Sequence, residues 1–550
     1  MQAKGIRKDI WLVITLVSLA VYALFLLYPL ITLLSKSITD GDGAFTWANF
    51  ERFFGRSYYF RALGNSFKVT AAVTLFSVVL ALPLAYILSM FRIRGKRVLE
   101  ILILVSSMSA PFIGAYSWIM LFGRNGSFTN FLLGLTGFRL PDIYGFNGIV
   151  LVMSLQLYSL VYMFVSGAFK NMDNSLLEAS ETLGSAGFRK LRRVVLPLLM
   201  PTILSGALMV FMRTFADYGT PRLIGEGYMT LPVLVYNEFM GEVGGNDGLA
   251  AAISILAIII TTAVFLIQKL IVNRKPFTMN ALHPIQEKKL KGLPNVLAYA
   301  YCYIIVGIAM LPQLYVIYSS FRNTSGKLYT AGFGLKSYQE AFATVGRSIQ
   351  NTYVLGFSAL AIIIVVAMLI AYVVVRRRNV LNSALDIIVM FPETVAGSIL
   401  GIALLMAFSK RPLLFSGTAF IMILSFVLRR MPYTVRSTAA TLQQISHSVE
   451  EASVSLGASS LKTFFRVTVP MMLPGVFSGA ILSFIMIITE LSTSIILYTT
   501  NTKTMTLEIY SQIIRGNDGI ASAISSILTF STIIALAVFF KVSDKKEIQL

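Results

Sequence analysis

The apolar residues of this chain are gathered into blocks long enough to cross a lipid bilayer, and that single feature removes most folds from consideration. The first block runs from Ile10 to about Leu34 without a charged residue. Roughly 20 apolar residues cross the hydrocarbon core as a helix. The alternating pattern of a membrane barrel is missing, so helices are what keeps every backbone group hydrogen-bonded in lipid. Twelve blocks can be read, at about 10–34, 64–91, 98–122, 146–169, 200–224, 248–272, 293–320, 350–375, 383–408, 413–435, 474–499 and 520–541. The expected fold class is an all-α integral membrane protein. Only 13% of the 550 residues are charged, about half the fraction usual in a soluble domain.

A formal net charge of +21 suggests nucleic acid in a soluble protein. Here Lys and Arg are read as lying between the apolar blocks and not within them. Arg92, Arg94, Lys96 and Arg97 follow the second block, Arg189, Lys190, Arg192 and Arg193 the fourth, and Arg274 and Lys275 the sixth. Arg376, Arg377 and Arg378 follow the eighth, and Lys541, Lys545 and Lys546 the last. With Lys4, Arg7 and Lys8 at the start, these loops fall on one side when both termini are cytoplasmic. No basic–aromatic interleaving marks a polar surface, so no nucleic acid is expected. The first block is too long for a signal peptide and reads as an uncleaved span. Cys302 is the one cysteine and His283 and His447 the two histidines, which excludes an internal disulfide and a Cys or His metal cluster.

The chain repeats itself. Glu178-Ala179-Ser180 with Gly184 returns as Glu451-Ala452-Ser453 with Gly457, at an offset of 451 − 178 = 273. Pro197 and Pro201 return as Pro470 and Pro474 at the same offset, and Asn246-Asp247-Gly248 has its counterpart in Asn517-Asp518-Gly519. Each copy holds an even number of spans, so both run the same way through the bilayer: a parallel repeat with a pseudo-two-fold axis along the membrane normal. This gives a first six-helix module at 1–273, a polar cytoplasmic linker at 274–292 containing Pro276 and Pro284, and a second six-helix module at 293–550. The outward segment 36–63 is polar and aromatic and is expected to hold a short interfacial helix.

The repeated motif lies between spans four and five of each half, at 175–197 and 448–470. Ser175-x-x-Glu178 and Ser448-x-x-Glu451 fit a capping box, so a short helix is expected to begin there. Gly184 and Gly457 permit a left-handed turn. A basic amphipathic stretch follows, with Phe188, Leu191, Val194 and Val195 against Arg189, Lys190, Arg192 and Arg193. Pro197 and Pro470 are expected to end it before the next span. The product is a helix–turn–helix elbow at the membrane surface, presented twice. As a passive connector it would need no such recurrence.

This pattern resembles the EAA loop of binding-protein-dependent ABC importer permeases, in which Glu-Ala-Ala, a Gly five positions on and a distal Pro form the signature. The resemblance implies that Glu178, Ala179, Ser180, Gly184 and Pro197 in one half, and Glu451, Ala452, Ser453, Gly457 and Pro470 in the other, dock an ATPase and transmit its motion. Ser180 and Ser453 depart from the second Ala of the signature. It also implies two copies of a cytoplasmic ABC ATPase, an extracytoplasmic substrate-binding protein, a type I importer fold, alternating access and a bacterial inner membrane. The fused two-module layout looks like the ferric-iron branch; related permeases handle thiamine, aminoethylphosphonate, sugar phosphates, polyamines and sulfate. No G-x-x-x-x-G-K-[ST] loop is present, so no nest of backbone donors cradles nucleotide phosphates. The chain is expected to be no enzyme and to bind no cofactor, with ATP and Mg held by the partner ATPase.

Ionisable residues inside spans are costly and are functional candidates. Asp217 in span five has Glu490 in span eleven as its repeat partner, at 490 − 217 = 273, and Glu393 follows Pro392 in span nine. One reading makes these carboxylates a path for a cation such as ferric iron, whose hard character suits carboxylate oxygen. The other has them pair with Arg213 or cap broken helices. Pro83, Pro111 and Pro392 are expected to kink their spans, by packing irregularity or as hinges. Twelve spans in parallel halves also suit a major-facilitator-type secondary transporter. Facilitators carry a Gly-Asp-Arg-type loop between spans two and three, where this chain has Phe91-Arg-Ile-Arg-Gly-Lys-Arg. A membrane scaffold without transport would need neither intramembrane carboxylates nor a duplicated docking motif.

Overall fold

The computed structural model describes residues 10–40, 42–108, 110–185, 187–241, 246–274 and 283–542. Lys4, Arg7, Lys8, Lys275, Pro276, Lys545 and Lys546, and the side chain of Phe188, lie outside the described residues. Among the described residues, nine helices are long and apolar enough to span a bilayer, and two bent pairs bring the number to eleven. The remaining expected block, the tenth, is the helix Ala419–Gln444, which carries Arg429, Arg430 and Arg436 and so fails an apolar criterion. This corrects the reading that basic residues stay outside the spans. A charge-bearing helix is tolerated because it lies inside the protein: it packs on Lys336–Arg376 and Val469–Ile488, and most of its length is buried.

Two expected spans are sharply bent. Val380–Thr394 and Gly397–Ala407 meet at 110°, and Lys96–Met108 meets the helical stretch beginning at Pro111 at 97°. Pro392 sits inside the helix just before its bend, and Pro111 occupies the first turn after its own, where a missing N–H costs nothing. Pro83 lies within Ser57–Met90. Segment 36–63 holds the short helix Ala48–Gly55. A two-stranded antiparallel hairpin, Arg322–Ser325 with Leu328–Phe333, is an addition to the all-α reading.

The repeat is kept in register by the backbone. Phe146–Lys170 is matched by Ala419–Gln444, Asn174–Thr182 by His447–Ser455, and Leu196–Phe215 by Val469–Ile488, each displaced by 273 (419 − 146, 447 − 174, 469 − 196). The two long helices of each set pack against each other. In the second half two glycines draw them close. A Cβ on Gly479 would lie 2.6 Å from Thr434 Cα, and one on Gly475 would strike Thr441. Polar groups join this seam: Ser437 Oγ donates to the Gly475 carbonyl at 2.7 Å, and Thr434 and Ser483 hydroxyls are 2.8 Å apart. Small residues with interhelical hydrogen bonds are how helices associate where lipid removes the hydrophobic driving force.

The modules exchange their first helices. In the N-terminal span, Trp11 Nε1 donates to Ser460 Oγ at 2.8 Å and Thr15 Oγ1 to Asn382 Oδ1 at 2.7 Å. The Trp11 ring lies 4.3 Å from that of Tyr372. Reciprocally, Leu293–Ser320 crosses to the first half, where Tyr301 and Tyr303 hydroxyls donate to the Leu80 and Arg94 carbonyls. The two halves therefore interlock in space.

Candidate functional site

Two features of each half stand out: the elbow and the break in the span that follows it. In the first elbow, Asp173 accepts the Ser175 amide at 2.9 Å; in the second, Ser446 Oγ accepts the Ser448 amide at 3.3 Å. The helix caps are therefore Asp173 and Ser446, two residues before the expected capping box. Ser175 and Ser448 lie within the first turn. Short polar side chains of either kind satisfy the orphan amides of a helix start, and the nearer candidate to the loop won.

The other end matches the sequence reading. Ser185 N donates to the Ser180 carbonyl and Ala458 N to the Ser453 carbonyl, five residues back. Gly184 and Gly457 take φ of +79° and +86°. This is the Schellman closure, with glycine in the left-handed region. Glu178, Ala179, Glu451 and Ala452 are exposed, while Ser180 is buried and its Oγ donates to the Leu177 carbonyl at 2.8 Å. Ser453 bonds across to Thr463 at 3.0 Å. In the second half the hydroxyl at the third motif position thus ties the short helix across its elbow, while in the first it bonds back within its own helix.

Pro197 and Pro470 do not stop the second helix. A single π turn, Leu191–Val195 or Phe464–Thr468, carries the chain into the following helix, where each proline stands in the first turn. The wider turn absorbs a residue that has no N–H to give. The elbow is thus one continuous lever with span five, and with span eleven in the second half.

The two elbows are braced differently. In the first, Lys190 and Lys288 donate to Glu181 at 2.5 and 2.9 Å. Those bonds, Lys190 first, hold the Glu181 carboxyl at about 2, below its ordinary 4.5. The segment 283–291 is stitched to the same elbow, its His283 carbonyl accepting the Asn174 amide at 2.9 Å. In the second, Glu450 takes the place of Leu177 and accepts from Arg376 Nε at 2.9 Å. Each elbow ends in a leucine that solvent reaches almost completely: Leu183 is 87% and Leu456 89% exposed. Their signal was present in the 273 offset and in an apolar residue beside the turn.

Inside the membrane region, span five breaks after Leu196–Phe215 and resumes at Gly219–Ile224; span eleven breaks after Val469–Ile488 and resumes at Ser494–Leu497. Asp217 and Glu490 occupy the breaks. Asp217 Oδ2 accepts the Thr220 amide at 2.9 Å, and Glu490 Oε1 accepts the Thr493 amide at 3.1 Å. Both carboxylates therefore cap broken helices. Glu490 also accepts Arg429 Nη1 at 2.7 Å and is bonded to Arg430 Nη2. Gly397 makes room for this group, since a Cβ there would collide with Arg429 Nη1.

Asp217, Glu393 and Glu490 all face one cavity of about 680 Å³ between the halves. Glu393 lies 3.9 Å from Arg213, which donates to the Tyr433 hydroxyl at 2.7 Å. Asp386 and Arg436 pair at 3.4 Å on the same wall, and Lys269 reaches it too. The three candidate carboxylates share a cavity without converging: among the described residues no group of three or more His, Cys, Asp or Glu is placed to hold a metal. Arg429, Arg430 and Tyr433 are the wall residues that sequence reasoning missed. Two arginines near the end of an apolar block look like the basic flank of a span.

The sequence profile described as "Binding-protein-dependent transport system inner membrane component" matches residues 73–275 and again 363–546. The chain belongs to this family. It is a fused two-module ABC importer permease, a multi-pass membrane subunit. FbpB of Actinobacillus pleuropneumoniae, a ferric transport system permease protein, is 27% identical over 531 residues, 94% of this chain and 76% of the relative. A second FbpB, from Haemophilus influenzae and also named for ferric transport, is 28% identical over 87% of this chain and 76% of its own length. PhnU of Salmonella typhimurium, named for a 2-aminoethylphosphonate transport system, is 23% identical over 50% of this chain and 95% of its own. In this permease the two profile matches each contain one elbow and the break that follows it, so in each half one helix joins the elbow to the central cavity.

Proposed function

We propose that this permease imports ferric iron across a bacterial inner membrane, with both termini cytoplasmic. Two copies of a cytoplasmic ATPase hold ATP and Mg and dock on the two elbows. An extracytoplasmic binding protein delivers the solute to the outward mouth. ATP-driven closure draws the elbows together and opens the cavity outward; hydrolysis returns it inward. This chain binds no cofactor of its own in that cycle. The observation that carries the reading is the shared two-module layout, since relatives named for ferric transport align with 94% and 87% of this chain. The lever geometry supports it, because each elbow runs through a π turn into the broken helix that meets the cavity.

A second substrate, 2-aminoethylphosphonate, is favoured by one observation. The cavity wall presents Arg213, Arg429 and Arg430, and guanidinium forks suit phosphonate oxygens. The deciding experiment is uptake into proteoliposomes containing the chain, its ATPase and its binding protein. ATP-dependent accumulation of iron with no accumulation of phosphonate is the expected result. The reverse transfers the substrate assignment, and uptake driven by an ion gradient without ATPase removes the importer reading.

A further inference from the structure

We propose that the species crossing this cavity presents anionic oxygen to the arginine wall, and that no bare cation is bound there. The inference rests on the importer reading and specifies its substrate chemistry. Five basic and four acidic side chains line the cavity, and the two carboxylates at the helix breaks are already engaged. Glu490 is 3% exposed and its two oxygens are taken by Arg429, Arg430 and the Thr493 amide. Asp217 is spent on the amide of Thr220. A hard trivalent ion needs several carboxylate oxygens at once, and no such group exists among the described residues.

The cationic side is less satisfied. Arg429 and Arg430 share a single carboxylate, which leaves one positive charge in excess at the pair. The Nε of each is buried without a hydrogen-bond partner among the described residues. Arg213 is 30% exposed into the cavity, and its carboxylate neighbour Glu393 stands off at 3.9 Å. Intramembrane cations left short of counter-charge are expensive, and the planar guanidinium fork is matched by carboxylate, phosphate or phosphonate oxygens. Two sources supply that chemistry: a free oxyanion solute, or a ferric ion travelling inside an oxyanion chelate.

The test is equilibrium binding to the full chain in lipid nanodiscs, without ATP, using 2-aminoethylphosphonate, ferric citrate, and terbium(III) alone as a hard trivalent cation. At least one oxyanion probe is expected to bind and terbium is not. Arg213→Gln should weaken that binding roughly tenfold or more. Arg213→Lys should recover part of it, and Glu393→Gln should tighten it by removing a like charge. Preference for the phosphonate identifies a free solute and preference for ferric citrate a chelate; either supports the proposal. It is overturned if neither oxyanion probe binds, or if terbium binds, is lost in Glu393→Gln and binds more tightly in Arg213→Gln. Failure of the importer reading is seen elsewhere, in the absence of ATP-driven uptake.

Discussion

Glu181 shows how much one side chain adds to the first elbow. Its carboxylate is held by Lys190 and Lys288, and its folded value of about 2 lies below the ordinary 4.5. A depressed acid stabilises the folded form above its unfolded value and loses that contribution as pH falls toward the folded one. The first elbow should therefore loosen between about 4.5 and 2. A nitroxide at the exposed Leu183 should gain mobility over that window, and the transition should vanish in Glu181→Gln. An unchanged spectrum in the parent protein would show that the lysine bonds do not order the elbow. In the second half, Val454 stands at the equivalent position, so its elbow should show no such transition. At this scale the sequence was legible where a fixed offset exposed a constraint, as with Gly184 and Gly457, whose φ values admit little else. It was illegible for Arg429 and Arg430, because their tolerance depends on Glu490, 61 and 60 residues away.

Helices were legible by length and not by shape. Hydropathy reports how many apolar residues are available for a span, while a bend such as the 110° break before Gly397 depends on neighbours. The breaks at Asp217 and Glu490 stood in the sequence only as one of two readings for the same reason: a carboxylate that caps a new helix start looks, in a string of letters, like a charge inside an old one. The close seam between Ala419–Gln444 and Val469–Ile488 yields a direct test. Gly479→Leu forces atoms into a space where a single Cβ already meets Thr434 Cα at 2.6 Å. Overpacking of this kind costs about 1–3 kcal/mol and should lower the unfolding temperature of the purified protein. Gly307→Leu is the control, because a Cβ there meets nothing within 4 Å. Equal behaviour of the two variants would mean that the seam is looser than its glycines indicate.

For the molecule as a whole, the two modules act on one cavity because neither stands alone. The first helix of each lies on the other half, with Trp11 against Ser460 and Tyr372, and Tyr301 and Tyr303 against the 80–94 region. The duplication and the two elbows could be read from the sequence, but this exchange could not, since a hydrophobic block carries no mark of which module it will cover. The central claim is that motion enters at two elbows and reaches the cavity through two levers. The most direct measurement is ATP-driven uptake in proteoliposomes by the Leu183→Asp and Leu456→Asp double variant, with ATPase and binding protein present, against the parent chain. Those leucines are 87% and 89% exposed and support no fold of their own, so the variant should assemble in the membrane, lose the ATPase on purification, and transport at less than about a tenth of the parent rate. Parent-level uptake by a variant that no longer retains the ATPase would contradict the account.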